Sequence, residues 1–471
     1  MWSDVSLKEH ILVREYATLY VAREFEDSSL DRAPITRSIF EFLVILVEQK
    51  KLDAVVGLNK IRLGSQVGYI ETPCGIGIEI LPKIMRKQNH EIRQIRGSSL
   101  VEMRSILQKM VHRLWQFQGK EVGAASLVPH NVPLHEWIFQ QFLAELVTLM
   151  RRGLRRSYIK SSTNKRYIKG RLNIKKILDN GPAKAHVFPI TYDQFSFNRI
   201  ENQLLKSAVE IVAKLTKTDI NWRLANELNA KLNTLDPALD PDRHLLKWEK
   251  SKLMKDYQHI YPWCEMILMH LNPAFQKGRR SGIALLFKME QLFEAYVATT
   301  FELQLQKSDF TVRSQDRRYY LTQHHELNLF QLKPDLLFFN HSHNAKSVII
   351  GDTKWKCLND SNVRKYQISQ SDLYQMLAYG YRYQQGNISG KYISESNCED
   401  MLLIYPYYEN LQKMLRPFIL NESEGSKLRV WVIPFKLDID DSKEGLVIDR
   451  NFLENDSPLL ALLANLSIDR F

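Results

Sequence analysis

The apolar residues of this chain follow two different periods, and that change of period constrains the fold most strongly. Apolar side chains recur at helical spacing in five segments, which predicts helices at about Leu100–Phe117, Leu134–Arg152, Ile200–Leu215, Asn221–Leu232 and Glu290–Leu305. After residue 305, short β-type runs follow one another, interrupted by one predicted helix at about Gln370–Tyr383. This order predicts a C-terminal mixed α/β domain, in which helices flank a sheet.

The first 95 residues are β-rich. Alternating apolar runs at Ile61–Ile70 and Ile76–Ile84 are separated by Thr72-Pro73-Cys74-Gly75, which is a strand–turn–strand pattern. The polar stretch Arg86–Ser98 has no periodicity and is a candidate linker. We therefore expect a multidomain α/β protein with three parts, as its 471 residues suggest: a β-rich domain at 1–95, a mainly helical region at 96–280 and an α/β domain at 281–471.

Positive charge is concentrated in one short segment of the middle region. The chain carries a formal net charge of +12, and residues 151–180 hold eleven Lys and Arg against the single acid Asp179. We expect this basic insert, with a hairpin at 157–176, to contact a polyanion. A merely solvated basic surface is the alternative.

The composition argues against several classes of protein. The four cysteines, Cys74, Cys264, Cys357 and Cys398, form no CxxC pair, which argues against a disulfide framework and against a zinc ribbon. No apolar run approaches the roughly 18 residues that a membrane helix needs, and no signal peptide is visible at the N-terminus. We therefore expect a cytoplasmic protein without a membrane partner.

Two predicted strands of the C-terminal third carry acidic residues at their ends. Asp335 leads into one apolar strand, and the next apolar strand runs into Asp352-Thr353-Lys354. If these strands pair, the two carboxylates converge, and Asp352 and Lys354 face the same side because side chains alternate along a strand. Two carboxylates and the Thr353 carbonyl suit Mg²⁺, and the Lys354 ammonium can orient or help deprotonate a metal-bound water.

A strand-end salt bridge explains the same residues equally well at this stage. The pattern Asp/Glu-x-Lys also occurs at Glu48-Gln49-Lys50 and Asp441-Ser442-Lys443, where the charges are most simply solvated. The following predicted helix favours a functional site, because Asp372, Gln375 and Tyr379 lie on one helix face and need a polar environment. Exposure of this face to solvent is the alternative.

These residues resemble a known nuclease pattern. Pro334-Asp335, Asp352-Thr353-Lys354 and the helix with Gln375-x-x-x-Tyr379 are similar to the PD-(D/E)xK nucleases, in the variant found in RecB-like enzymes. More narrowly, the chain resembles the McrC family, the nuclease subunits of McrBC modification-dependent (type IV) restriction systems. The segments that carry this resemblance are Val348–Lys356, Ser369–Met376, Leu403–Pro406, Ile168–Leu172, Asn198–Lys206 and Gly77–Ile84.

The resemblance implies a PD-(D/E)xK nuclease domain at residues 281–471 that cleaves DNA with Mg²⁺. The implied catalytic residues are Asp335, Asp352, Lys354, Gln375, Tyr379 and Glu294. Among them, Asp335 and Asp352 carry over as metal ligands and Lys354 as the catalytic lysine. Glu290, one turn before Glu294, is the alternative acid on that helix.

The resemblance also implies a partner. In the family, cleavage requires a McrB-like AAA+ GTPase hexamer that recognises modified cytosine, and the nuclease subunit stimulates its GTPase. The sequence has no GxxxxGK[S/T] motif, which agrees with a separate motor. Arg166, Lys169 and Arg171 are then expected to contact either the partner's nucleotide or DNA phosphates. Two other functions remain open: a GTPase activator with weak nuclease activity, and a stand-alone DNA repair nuclease.

Overall fold

The structure is a computed structural model that describes most of the chain. The described residues are 10–22, 28–83, 97–118, 132–179, 186–270, 283–341, 348–356, 358, 366–384, 398–408, 410–423, 426–438, 440–453 and 458–467. Their α-helices are α1 (Arg37–Glu48), α2 (Gly97–Phe117), α3 (Leu134–Arg152), α4 (Ile174–Asp179), α5 (Ile200–Leu215), α6 (Asp219–Lys231), α7 (Pro241–Leu246), α8 (Lys255–Gln258), α9 (Tyr261–His270), α10 (Met289–Leu305), α11 (Gln370–Gln384) and α12 (Pro458–Leu466).

The described β-strands are distributed along the whole chain. They are β1 (His10–Arg14), β2 (Thr18–Val21), β3 (Arg32–Ile35), β4 (Ala54–Val56), β5 (Lys60–Leu63), β6 (Gln66–Glu71), β7 (Gly77–Leu81), β8 (Ser157–Lys165), β9 (Arg171–Leu172), β10 (Phe188–Ser196), β11 (Ile283–Lys288), β12 (Phe310–Ser314), β13 (Tyr320–His324), β14 (Leu327–Gln331), β15 (Leu336–Asn340), β16 (Val348–Thr353), β17 (Asp400–Pro406), β18 (Phe418–Ser423), β19 (Ser426–Lys436) and β20 (Gly445–Leu446). The mixed α/β class expected from the sequence is confirmed.

The chain divides into two compact units. Unit 1 comprises Met1–Gly119, Val128–Leu134 and Leu286–Phe471, and unit 2 comprises Lys120–Leu127 and His135–Leu285. The N-terminal region and the C-terminal third therefore share one unit, although the sequence assigns them to separate domains. The predicted boundaries 1–95, 96–280 and 281–471 stay a prediction.

The largest sheet of unit 1 has seven strands in the order β12-β15-β16-β17-β19-β18, with β20 paired to β19. Its central strands β16, β17 and β19 are parallel, and β15 is antiparallel to β16. On one face α10 packs through Phe301, whose ring centroid lies 5.7 Å from that of Phe338. On the other face Met376 of α11 packs in a core cluster with Leu337. Because Leu337 and Phe338 are neighbours on one strand, the two helices cover opposite faces of the sheet.

The N-terminal part of unit 1 corrects one predicted strand. The run Ile61–Ile70 is two strands, because β5 ends at Leu63 in the sheet β3-β2-β5-β4 while β6 lies beside β7 in another sheet. The two strands are separated at Gly64, whose backbone N–H donates to the Asp53 carbonyl at 2.7 Å. A Cβ at Gly64 would lie 2.9 Å from that oxygen, so only glycine allows this approach.

The predicted helices of the middle region are confirmed where the helical period is strong. The helices α3 and α5 begin and end at the predicted residues, and α10 begins one residue before its predicted start. The candidate linker Arg86–Ser98 lies outside the described residues as far as residue 96, and α2 begins at Gly97. Long amphipathic segments are thus read well from the sequence.

Unit 2 contains helices and a small three-stranded sheet in the order β8-β10-β9. The predicted hairpin at 157–176 is wrong in its pairing. Ser157–Lys165 pairs along its whole length with Phe188–Ser196, and Arg171–Leu172 pairs with the same strand. The basic strands therefore use a partner strand that follows them by more than ten residues, which a local pattern does not indicate.

Two further findings concern membrane helices and cysteines among the described residues. Within them, no helix is both long enough and apolar enough to cross a membrane. Cys74, Cys264 and Cys398 are free thiols, and Cys357 lies outside the described part of the chain.

Candidate active site

The two predicted acidic positions meet at one edge of the seven-stranded sheet. In the antiparallel pair β15 and β16, Leu336 lies opposite Gly351. Asp335 comes just before Leu336 and Asp352 just after Gly351, so both aspartates lie at the same end of the pair. Thr353 joins them: its amide and its Oγ1 each donate to Asp335 Oδ2 at 2.7 Å. The local convergence expected from the strand pattern is thus present, with Asp335 held in place from the neighbouring strand.

Lys354 lies on the face of the sheet that α11 covers. Its Nζ forms an ion pair with Asp352 and donates to Gln375 Oε1 at 3.0 Å. Gln375 Nε2 in turn lies 3.4 Å from Asp352 Oδ1 and donates to the Tyr379 hydroxyl at 2.7 Å. The hydroxyl of Tyr379 donates to the Lys333 carbonyl at 3.0 Å. The predicted polar face of the helix therefore contacts the strand ends, and the solvent alternative does not hold for Gln375 or Tyr379.

Asp372, the third residue of this helix face, is also buried against polar partners. Its carboxylate accepts hydrogen bonds from Lys356 Nζ at 2.9 and 3.2 Å and from the Tyr405 hydroxyl at 3.3 Å. Lys356 follows Lys354 by two residues, so it lies near the same edge of the sheet. The sequence singled out Asp372 but did not pair it with Lys356 or Tyr405, although both lie in segments that resemble the McrC family.

Helix α10 brings Glu294 to the site. The side-chain Nε2 of Gln315 donates to Glu294 Oε1 at 3.0 Å, and the backbone N–H of Gln315 donates to the Asp335 carbonyl at 2.9 Å. One residue thus links the helix to the strand that carries the first aspartate. Glu290, the alternative acid, is exposed, and its charge acts on Glu15. Of the two glutamates, Glu294 is the one on which the charge of Asp335 acts.

The surroundings of the carboxyl groups in this site disfavour their ionised forms. Burial and the neighbouring Asp335 carboxylate raise the pKa of Asp352 to about 7, and the same two causes raise the pKa of Glu294 to about 7. Burial also raises the pKa of Asp335, against its hydrogen bonds from Thr353. Burial acts to lower the pKa of Lys354, but the Asp352 carboxylate outweighs it, and that pKa rises above its ordinary value. A cation placed among these carboxyl groups would favour their ionised forms.

The chemistry of these donors fits Mg²⁺ better than a softer metal. Asp335 and Asp352 supply carboxylate oxygens, which Mg²⁺ prefers, and Mg²⁺ commonly uses one or two carboxylates while keeping several waters. Among the described residues, no group of three or more His, Cys, Asp or Glu side chains is arranged to hold a metal ion. A two-carboxylate site is consistent with that finding. Thr353 faces Asp335 through its amide and hydroxyl.

The sequence does not indicate the contact between Trp355 and Glu15 beside the site. Trp355 is buried, its ring lies 5.3 Å from that of Phe293, and its Nε1 donates to both carboxylate oxygens of Glu15 at 2.9 and 3.0 Å. Lys83 also donates its amide to Glu15 at 2.8 Å. Glu15 and Trp355 are 340 residues apart, so no local motif connects them. The tryptophan therefore packs in the core of unit 1.

The predicted contact residues of the basic insert lie in unit 2. Arg166, Lys169 and Arg171 are all exposed. Lys169 and Arg171 line an open cleft of about 820 Å³, which Tyr192 also lines, and Lys169 Nζ lies 4.4 Å from the centre of that ring. Gly170 allows this geometry at φ +73°, because a Cβ there would lie 2.5 Å from the Thr191 carbonyl.

Two solved structures match the chain. One chain of the refined half-complex from the tetradecameric assembly of Thermococcus gammatolerans McrB AAA+ hexamers with bound McrC matches with a TM-score of 0.60 and 14% identity, covering 90% of this chain and 94% of that chain. The cryo-EM structure of the Thermococcus gammatolerans McrBC complex matches more weakly, with a TM-score of 0.43 and 17% identity over 65% of this chain and 89% of that chain. At such identities, the first match shows a similar fold.

The family comparison gives the more specific result. A comparison with curated proteins gives no match. The family described as McrBC 5-methylcytosine restriction system component matches residues 61–406, and this range contains Asp335, Asp352, Lys354, Gln375 and Tyr379. Because the matched range covers most of the 471 residues, the chain belongs to the family of McrBC 5-methylcytosine restriction system components.

Proposed function

We propose that this chain is the Mg²⁺-dependent DNA endonuclease subunit of a GTP-dependent McrBC-type restriction complex, with a PD-(D/E)xK-type centre. One observation carries the proposal: Asp335, Asp352 and Lys354 lie at one sheet edge, beneath the Gln375–Tyr379 face of α11. The family membership and the fold similarity support the assignment to a restriction system.

Each residue of the proposed centre has a physical task. Asp335 and Asp352 would hold Mg²⁺, which when bound supplies stabilisation of charge on the attacked phosphate and acidifies water. Gln375 orients Asp352 and Lys354 together, because it contacts both. Lys354 keeps its proton beside Asp352, so its Nζ can place a water or a phosphate oxygen by hydrogen bonding. Glu294 is proposed as a further acid at the centre.

The proposed partner is a McrB-like AAA+ GTPase hexamer. The structure that this chain resembles contains McrB AAA+ hexamers with bound McrC, and this chain covers 94% of the matched chain. The sequence itself carries no P-loop motif, so a separate protein would supply GTP hydrolysis. DNA is the proposed substrate, and the excess of positive charge in the chain suits it.

The first experiment is a cleavage assay in which one component at a time is omitted. Methylated and unmethylated plasmids are incubated with Mg²⁺, the chain, its AAA+ partner and GTP. We expect double-strand cleavage only in the complete mixture, and cleavage that requires methylation would identify the modification read by the complex. Cleavage by the chain alone, on linear but not circular DNA, would instead support a stand-alone repair nuclease.

A second candidate function is favoured by the basic cleft of unit 2. Arg171 lies on β9 and Arg166 directly follows β8, and both are exposed. Exposed cations of this kind can act near the nucleotide of a partner. In this reading the chain is chiefly a GTPase activator. It predicts GTPase stimulation that survives Asp352→Asn but is lost in the double variant Arg166→Ala, Arg171→Ala, together with little cleavage by the unaltered complex.

A further inference from the structure

A two-stranded ribbon projects from unit 1 next to the proposed active site. Its strands β13 and β14 pair with each other and with no strand of the seven-stranded sheet among the described residues. Gln323 lies opposite Asn328, Thr322 opposite Leu329 and His324 opposite Leu327. The sequence alone suggests only short β-runs in this region, so the separate ribbon is a finding of the structure.

The ribbon is exposed on both faces. All residues from Leu321 to Gln331 are exposed, and Leu327 and Phe330 retain 66% and 72% of their accessible surface. A two-stranded hairpin without a packed face is marginally stable in water by itself. Large apolar side chains at such a position indicate a surface that contacts another molecule.

The base of the ribbon is fixed to the proposed catalytic residues. The Gln315 amide donates to the Asp335 carbonyl at 2.9 Å before the ribbon, and the Leu332 amide donates to the Tyr319 carbonyl at 2.8 Å across its base. The ring of Tyr319 lies 4.5 Å from that of Tyr383 on α11. The ribbon therefore keeps a defined position relative to the Asp335 carboxylate.

The tip of the ribbon is a narrow turn. His325 and Glu326 connect the strands, and both have positive φ, 45° and 63°. Positive φ at both central residues is typical of the two-residue type I′ turn, whose twist matches that of paired strands. The turn is built without glycine, so it costs conformational energy that a longer or glycine-containing loop would avoid.

The side chains of the ribbon have the chemistry of base recognition. Gln323 and Asn328 form a cross-strand pair of amides, which can donate to and accept from the edges of bases in the major groove. Arg317 and Lys333 lie exposed at the base of the ribbon, where their charges suit flanking phosphates. The ribbon also exposes Leu321, Leu327, Leu329 and Phe330. Within residues 317–333, three cations stand against the single acid Glu326, and this net positive charge together with the two amides favours nucleic acid as the occupant.

The dimensions also agree with DNA. Five residues per strand give the ribbon a length of about 17 Å, and the major groove, about 12 Å wide and about 8.5 Å deep, admits a two-stranded β-ribbon. We propose that β13 and β14 enter the major groove beside the phosphate that is cut, with Gln323 and Asn328 contacting base edges. This inference rests on the proposed function, and it assigns to the ribbon the positioning of DNA and a sequence preference around the cut.

The test uses full-length chain assembled with its AAA+ partner, in the Asp352→Asn background so that DNA stays intact. The photoreactive residue p-benzoyl-phenylalanine replaces Leu327, and the complex is irradiated with a methylated duplex. We expect crosslinks to DNA. Crosslinks only to a second copy of the chain or to the AAA+ protein, or no crosslink at all, would overturn the inference.

A second measurement tests the two amides. The double variant Gln323→Ala, Asn328→Ala is expected to weaken binding of the complex to the duplex by about tenfold or more, with an unchanged melting temperature because both side chains are exposed. The matched control is Asn226→Ala, which removes an exposed amide from α6 in unit 2. Equal affinity of the double variant and the control would contradict the assignment.

The outcomes separate this inference from the proposed function. If the unaltered complex never cleaves DNA but the ribbon crosslinks to it, the nuclease proposal fails and the ribbon assignment stands. If the unaltered complex cleaves DNA and the double variant cuts at the same positions with the same affinity, the ribbon assignment fails and the nuclease proposal stands.

Discussion

Gln375 is the residue that connects the helix of the proposed centre to its strands. It accepts from Lys354, contacts Asp352 and donates to Tyr379. A single amide can serve all three partners because it has both a donor and an acceptor end. Its orientation is therefore coupled to the position of the aspartate and the lysine at once.

Gln375→Leu should reduce the rate of DNA cleavage by the complex about 10- to 100-fold, because residues that orient metal ligands contribute about this much. The side chain keeps a similar size but loses its three polar contacts. The measurement is the cleavage rate as a function of Mg²⁺ concentration. Gln370→Leu, on the exposed start of the same helix, is the control and should change neither rate nor Mg²⁺ dependence. Equal loss in both variants would mean that the helix, and not the amide, matters.

The buried carboxyl of Glu15 allows a separate test, in which the stability of the protein is measured as a function of pH. Burial raises its pKa to about 7 from an ordinary value of 4.5, against hydrogen bonds from Lys83 and Trp355 and with a further contribution from Glu290. The folded state therefore keeps this proton between pH 4.5 and about 7, while the unfolded state loses it. The contribution of Glu15 to the free energy of unfolding therefore falls by about 3 kcal/mol in total as the pH rises through that window.

Glu15→Gln should remove this loss. Relative to the unaltered protein, the variant should gain melting temperature as the pH is raised from 5 to 8, as measured by calorimetry. Glu41→Gln, an exposed glutamate on α1, is the control and should show no such pH-dependent difference. Melting curves of Glu15→Gln that run parallel to those of the unaltered protein at every pH would contradict the buried, protonated carboxyl.

At the scale of elements, α2 and α10 are joined through a buried ionic cluster. Glu444 is 2% exposed, accepts from Lys109 Nζ at 2.8 Å, and lies 3.6 Å from an Arg113 nitrogen. Tyr296 of α10 also donates to the same carboxylate. Asp441 contacts the same lysine but is 71% exposed. The two acids thus share a partner and differ in burial.

Glu444→Ala should lower the free energy of unfolding by about 3 to 5 kcal/mol, because it leaves cations buried without their partner. Asp441→Ala should cost less than about 1 kcal/mol, since exposed ion pairs contribute little. Thermal and urea unfolding of both variants measures the difference. Similar losses in the two variants would show that burial does not set the strength of these contacts.

Sequence periodicity predicts elements well where the period is long and uniform. It places α3 and α5 correctly, because many turns of amphipathic helix repeat one signal. It misses the division of Ile61–Ile70, since the close approach of Gly64 to Asp53 is a tertiary contact. It also misplaces the pairing of β8, whose partner β10 lies beyond the insert. Strand pairing over distance is the information that local patterns lack.

In the whole molecule, the sequence predicts well which residues lie together at the proposed active site. It predicts less well which other residues hold them in position. Asp335, Asp352, Lys354, Gln375 and Tyr379 lie together as the motif spacing predicts. Their supports come from distant segments whose contacts only the fold creates. Gln315 binds the Asp335 carbonyl through its backbone amide, while Tyr405 binds Asp372 and Glu15 binds Trp355, which follows Lys354 directly.

The proposed nuclease centre is tested most directly by plasmid cleavage with the assembled complex carrying Asp352→Asn, with GTP hydrolysis measured in the same reaction. We expect that cleavage is lost while GTPase stimulation continues, because the substitution removes a negative charge from the proposed metal site and leaves the partner surface intact. Asp309→Asn, an exposed aspartate of the same unit, should retain both activities. Undiminished cleavage by Asp352→Asn, with folding and assembly unchanged, would contradict the proposed nuclease centre.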